Sequence, residues 1–151
     1  MAKKPTTADA QLICQLYDLR RESEMRKARN WWAGEFFPQS ADDFLKIAWA
    51  MGTQENSWLR QVGGYWGMVA SFVNSGALNE QLFLAPGFSG EMFLIYAKVH
   101  PYIKELRTKL NDPNAWKDIE TAVTRTKWGR DRLQFMTKRV EMMRERRKAN
   151  S

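Results

Sequence analysis

The chain has 151 residues, of which 44% are hydrophobic and 27% are charged. This size and composition are typical of one globular domain and exclude a disordered chain. Its single cysteine, Cys14, excludes a disulfide within the chain and, with the polar N-terminus, predicts a cytoplasmic protein. The net charge is +7, and the whole excess comes from ten Lys or Arg against three acids over residues 125–148, an asymmetry that bears on partners and not on fold.

The N-terminal part of the sequence predicts one long helix after a polar segment over residues 1–8. From Asp9 to about Arg29, apolar side chains recur at the three- and four-residue spacing of one helix face. Cys14 stands among these apolar residues, so we interpret it as a small buried side chain. Trp31 and Trp32 follow, and because neighbours on a helix point in different directions, we expect one of them to be exposed.

Two more helices are predicted before the middle of the chain. Ser40 and Asp43 have the spacing of a capping box, which indicates a short helix that ends at Gly52. The next helix is predicted over residues 54–74, with Gly76 as the glycine that follows its C-terminal cap.

This helix carries a ridge of small residues that recur every fourth position. The ridge consists of Gly63, Gly67, Ser71 and Ser75. Glycine inside a helix costs ~1 kcal/mol relative to alanine, so its presence here calls for a packing explanation. We predict that the ridge packs closely against a neighbouring helix, with a dimer seam or a ligand slot as alternatives.

Residues in the second half of the chain mark further helix boundaries. Ser89 is expected to cap a helix, and His100 is expected to end or kink it because the residue before Pro101 is pushed out of the helical region. Gly129 is expected to break the chain before a last helix over residues 130–148.

The absence of sustained strand alternation predicts an all-α protein, a compact bundle of about six to seven helices in a single domain. We divide the chain into the polar segment 1–8, a helical core over 9–129 and a basic amphipathic C-terminal helix over 130–151 with a frayed end. No transmembrane segment is predicted, because the longest uncharged stretch, residues 61–79, has an apolar part too short for the ~20 residues that a bilayer needs.

Few side chains in the sequence are suited to catalysis or metal binding. With one histidine and one cysteine, we expect no catalytic residue, no metal site and no cofactor, although a dyad of Cys14 and His100 stays open as an alternative. Carboxylates and a tyrosine from different helices could also converge on a small-ligand or enzyme pocket. That candidate pocket consists of Glu35, Glu55, Glu91 and Tyr96.

The last predicted helix is apolar on one side and basic on the other. Its apolar positions are Leu133, Met136, Val140 and Met143. The candidate polyanion-binding residues are Lys138, Arg139, Arg144, Arg146, Arg147 and Lys148. We expect them to lie on a solvated face and to bind nucleic acid or an anionic surface weakly, without sequence preference and with strong salt dependence. The plainer alternative is that this helix simply completes the bundle.

Three blocks of sequence carry a resemblance to known proteins. They are Leu16–Arg21 leading into Trp31–Pro38, then Trp58–Gln61, and Glu91–Lys98. These blocks resemble a family of small bacterial all-helical proteins with no assigned function, over residues 12–105. The resemblance implies an all-helical cytoplasmic protein, brings no catalytic residues, and does not reach the basic tail.

Taken together, these observations favour a non-enzymatic helical module for protein interaction or regulation, with a protein partner or a homo-oligomer. Binding of nucleic acid or an anionic surface through the last helix is the alternative, and the carboxylate pocket is a further one.

Overall fold

The computed structural model describes residues 3–151, and every placement below refers to that part of the chain. It contains nine α-helices and one 3-10 turn, and no β-strand among the described residues. The all-α, single-domain prediction is confirmed, with more helices than expected. The helices are α1 (Thr7–Leu19), α2 (Ser23–Gly34), α3 (Ala41–Ala48), α4 (Gln54–Asn74), α5 (Glu80–Phe83), α6 (Pro86–Val99), α7 (Ile103–Leu110), α8 (Lys117–Thr124) and α9 (Lys127–Ala149), with the 3-10 turn at His100–Tyr102.

The single long helix predicted near the N-terminus is wrong, because the chain turns after Leu19. Glu22 then caps α2, and its carboxylate accepts hydrogen bonds from the backbone N–H groups of Glu24 and Met25 at 3.0 and 2.8 Å. Glutamate is not among the residues usually found at this capping position, so the break has no ordinary sequence signal. The turn between α1 and α2 accounts for part of the higher helix count.

Two of the predicted helix boundaries in the second half are also wrong. Ser89 does not cap α6 but lies buried inside it, where its hydroxyl donates to the carbonyl oxygens of Leu84 and Ala85. Gly129 does not break the chain but lies buried in the first turn of α9. A Cβ atom there would collide with the carbonyl oxygen of Val123, so glycine allows the close approach of α8 and α9. Helix α6 ends just before His100, as expected, although His100 itself keeps helical backbone angles and opens the 3-10 turn.

Helix α4 lies at the centre of the bundle, with α2, α3 and α8 packed around it. The face of α4 that carries Val62, Trp66, Val69 and Val73 is buried, as periodicity predicts. Helix α6 is buried along most of its length and packs against α9. The long amphipathic α9 therefore closes one side of the core, and its apolar positions Leu133, Met136 and Val140 are buried.

Two side-chain placements differ from expectation. Trp31 and Trp32 are both buried, because other aromatic residues cover the end of α2 on two sides. Trp31 stacks on Phe36 with ring centroids 4.5 Å apart, and Trp32 meets Trp116 edge-on with ring centroids 6.1 Å apart. Cys14, in contrast, is exposed, because α1 buries only a narrow stripe. Within residues 3–151, no helix is long and apolar enough to cross a membrane.

Candidate functional site

Helix α9 carries a second line of apolar residues, which lies on its exposed side. Trp128, Phe135 and Met142 lie on it at seven-residue intervals and are 43%, 51% and 57% exposed. Seven residues rise about 10.5 Å along a helix and nearly complete two turns, so the three side chains form one line. Large hydrophobic side chains exposed in a line are typical of a contact surface.

Arginines accompany this line. Arg132, Arg139 and Arg146 each follow an apolar residue of the line by four positions and so stand beside it. The guanidinium of Arg132 lies 5.1 Å from the centre of the Phe135 ring, a cation–π distance. We call these six residues the outer stripe: Trp128, Arg132, Phe135, Arg139, Met142 and Arg146.

Trp128 anchors one end of the outer stripe. Its ring meets the buried ring of Phe93 edge-on, with centroids 5.8 Å apart, which fixes its position. It also forms part of the wall of a groove of about 940 Å³ whose apolar lining includes Val73, Leu78 and Leu84. The outer stripe therefore runs into a concave apolar surface at its N-terminal end.

Five of the six candidate polyanion-binding residues are exposed, as expected, and Arg144 is partly buried. Arg144 and the exposed Arg147 nevertheless both bond to the rest of the bundle. Arg144 donates to the carbonyl oxygen of Pro38 at 3.1 Å. Arg147 donates to the carbonyl oxygens of Gly34 and Glu35 at 2.9 and 2.6 Å. These two arginines tie the C-terminal part of α9 to the end of α2 and the segment that follows it.

The other four candidate residues remain at the surface. Lys148 lies 3.5 Å from Glu145, an exposed pair within the same helix. Lys138, Arg139 and Arg146 are exposed, and their side chains form no hydrogen bond or ion pair within residues 3–151. The polyanion prediction therefore retains a smaller set of cations than the sequence indicated.

A buried lysine lies near Arg144 and Arg147, and the sequence analysis did not identify it. Lys98 is 1% exposed, and its ammonium donates to the carbonyl oxygens of Trp32 and Phe36 at the end of α2. Burial, together with Arg144 and Arg147, lowers its pKa to about 7, while the carbonyl acceptors favour its charged form. The signal available in the sequence was a single lysine after the apolar run from Met92 to Ala97 in α6.

The candidate pocket of Glu35, Glu55, Glu91 and Tyr96 does not form, because each of its polar members is used elsewhere or faces solvent. Glu35 and Glu55 are exposed. Glu91 accepts hydrogen bonds from Trp66 at 2.9 Å and Arg29 at 2.7 Å. These contacts join α2, α4 and α6 and leave the carboxylate without a free role.

Tyr96 belongs to a different cluster, around Glu120. Its hydroxyl donates to the Glu120 carboxylate at 2.9 Å, which also accepts from Arg107 at 2.7 Å and Lys117 at 2.8 Å. Burial alone would raise the pKa of Glu120, but the hydrogen bonds from Lys117, Arg107 and Tyr96 hold it at about 2. Burial raises the pKa of Tyr96, so it stays protonated. The cluster joins α6, α7 and α8 and is a structural one.

Within the small-residue ridge, only one of the two glycines, Gly63, has a close neighbour, and that neighbour is the Trp116 side chain just before α8. A Cβ atom on Gly63 would lie 3.6 Å from the Trp116 ring, but one on Gly67 would have no neighbour within 4 Å among the described residues. The hydroxyls of Ser71 and Ser75 donate to carbonyls of their own helix. The packing prediction is therefore wrong beyond Gly63, and Gly63 and Gly67 instead line an open groove of about 360 Å³.

The alternative dyad of Cys14 and His100 is not assembled. The Nε2 atom of His100 lies 2.9 Å from the hydroxyl of Thr137, and no hydrogen bond joins it to Cys14 in the described part of the chain. The hydroxyl of Thr137 donates to Leu133, so His100 is the donor of its pair. Burial lowers the pKa of His100. Among residues 3–151, no group of three or more possible ligands could hold a metal ion.

Comparison with known proteins identifies a family but no activity. The family model described as "Domain of unknown function (DUF4760)" matches residues 5–128. No curated protein and no solved structure matches the chain. The match ends at Trp128, so the rest of the outer stripe lies beyond it.

Proposed function

We propose that this chain, which belongs to the family of the domain of unknown function DUF4760, is a non-enzymatic protein-interaction module that binds through the outer stripe of α9. One observation carries the proposal: Trp128, Phe135 and Met142 are exposed in a single line on a helix whose opposite side is packed against the core. Aromatic and arginine side chains are the types most enriched where proteins bind one another. An exposed cysteine and no disulfide are compatible with a cytoplasmic location, which we also propose.

The polar clusters of the molecule support a binding role over catalysis. Glu91 and Glu120 are held by arginines and other donors of the same chain. A carboxylate that acts as a general acid or base needs a pKa near the working pH, whereas that of Glu120 is about 2. These clusters therefore stabilise the bundle that presents the outer stripe.

Binding of nucleic acid or an anionic surface is a second candidate, supported by Lys138, Arg139 and Arg146, which have no partner within residues 3–151. This candidate accounts for fewer features of the outer stripe, because phosphates bind the cations and need no contact with Phe135 and Met142, which lie between them. Binding to duplex DNA that falls steeply with salt and is unaffected by changes at these two apolar residues would favour this candidate.

The proposal is tested by capture of proteins from a native lysate after nuclease treatment. A variant with Phe135→Glu and Met142→Glu should lose any protein that the wild type retains, whether another copy of the chain or a different one. The matched control is Met51→Glu, because Met51 is an exposed apolar residue on a different part of the surface. Equal retention by the wild type and the stripe variant would contradict the proposal.

A further inference from the structure

We propose that the outer stripe binds a second copy of the chain, with the two α9 helices antiparallel about a two-fold axis between Lys138 and Arg139. This inference rests on the proposed function, because it names the partner of the same surface. A two-fold interface must be complementary to itself, so that the contact of one residue with another occurs twice. The positions along α9 meet this requirement.

The apolar residues match when α9 is paired in this way. Residues at equal distances from the axis lie opposite one another, so Phe135 faces Met142 of the second copy and Met142 faces Phe135 of the second copy. Trp128 lies opposite Ala149, a small residue that leaves space for the indole ring. The contact from Trp128 to Ala149 extends about 32 Å along each helix.

The charges next to the apolar line match as well. Asp131 lies opposite Arg146 of the second copy, and Arg132 lies opposite Glu145 of the second copy. Asp131 and Glu145 are 61% and 72% exposed, so both carboxylates are accessible. Their present contacts are with lysines of the same helix, and exposed pairs of that kind contribute little to stability.

The antiparallel direction follows from the same charges. In a parallel pair, Arg132, Arg139 and Arg146 would each face the identical arginine of the second copy, and like charges directly opposite one another are unfavourable. Reversing one helix converts two of these three contacts into pairs of opposite charge. The remaining repulsion is at the axis, where Lys138 faces Arg139 of the second copy.

The contact is limited in area and carries a repulsive centre, so the dimer exchanges with the monomer as concentration changes. This property makes the inference measurable. Reducing the positive charge at the axis should strengthen the dimer, an effect that no role of Lys138 within one copy would produce.

The test measures the dimer dissociation constant of the full-length chain, freed of nucleic acid, by sedimentation equilibrium. Asp131→Arg and Arg146→Asp should each raise the constant at least fivefold. The double variant should restore it, because the exchanged charges would again face one another with opposite sign. Lys138→Glu should lower it at least fivefold. The control is Glu55→Arg, an exposed charge change away from α9 that should leave the constant unchanged.

A wild type that stays monomeric at every concentration, a double variant that fails to restore the dimer, or no effect of Lys138→Glu would each overturn the inference. Those results leave the proposed function standing if the lysate experiment still retains a protein that depends on Phe135 and Met142. If the wild type neither dimerises nor retains a lysate protein that depends on Phe135 and Met142, the inference and the proposed function are both overturned.

Discussion

The two sides of α9 carry the same residue types and use them differently. On the inner side, Arg144 and Arg147 donate to backbone carbonyls at and after the end of α2. On the outer side, Arg139 and Arg146 have no partner within residues 3–151. Because a helix C-terminus leaves its last carbonyls without partners inside the helix, cations placed there satisfy groups that would otherwise need water. The comparison indicates that inward charges maintain the fold, whereas outward charges are available for binding.

The largest expected effect comes from Lys98 of α6, the most deeply buried charged side chain in the described part of the chain. Lys98→Met keeps the length of the side chain but removes the donor to the carbonyl oxygens of Trp32 and Phe36. Buried acceptors left without a donor cost about 1–3 kcal/mol each, so the free energy of unfolding should fall by about 2–4 kcal/mol. Urea denaturation followed by circular dichroism measures it. An unchanged unfolding midpoint would mean that Lys98 is not needed to satisfy these carbonyls.

A second charged side chain inside the bundle, Glu120 of α8, makes the stability depend on pH. The pKa of Glu120 is about 2 in the folded chain and 4.5 ordinarily, so its carboxylate stabilises the fold above about pH 4.5 and loses that contribution as the pH falls towards 2. The contribution at neutral pH is roughly 3 kcal/mol at most. Glu120→Gln should therefore unfold more easily at pH 7 and show a flatter decline in stability below pH 4.5. Parallel declines for both proteins in acid urea titrations would contradict the role of Glu120.

The inward arginines should have a smaller effect, because they lie nearer the surface. Arg144→Gln combined with Arg147→Gln should lower the free energy of unfolding by about 1–3 kcal/mol, the usual range for a few hydrogen bonds that involve charged groups. Hydrogen exchange should also speed up at the amides of the last turns of α9. The same exchange pattern as the wild type would mean that these arginines do not hold the end of the helix.

Local signals predicted much of the fold. The bounds of α4 were predicted correctly, because Thr53 caps its start and Gly76, with a φ of +80°, follows its end. These signals act within a few residues of one another and can be read from sequence. The split between α1 and α2 was missed because Glu22 is an uncommon cap, and Gly129 was misread because its reason is contact with α8.

The residues of α9 also divide into those whose placement the sequence indicates and those whose placement depends on contacts with other helices. The seven-residue spacing of Trp128, Phe135 and Met142 was present in the sequence and could have been found by counting. The inward role of Arg144 and Arg147 could not, because it depends on α9 ending beside the carbonyls that follow α2. A count of charges along a helix does not distinguish arginines that satisfy backbone groups from arginines that remain free.

The smallest effect on stability is expected from Arg139 and Arg146, the two arginines compared above on the outer side of α9. Arg139→Gln combined with Arg146→Gln removes the same number of charges as the inner pair, in the same helix and with the same replacement. Since neither outer side chain has a partner within residues 3–151, the free energy of unfolding of the monomer, measured at low protein concentration, should change by less than about 0.5 kcal/mol. The inner and outer pairs are thus matched controls for each other, and differ only in the direction that their side chains take. If both pairs destabilised the chain equally, the separation of α9 into a fold-maintaining side and a binding side would be wrong.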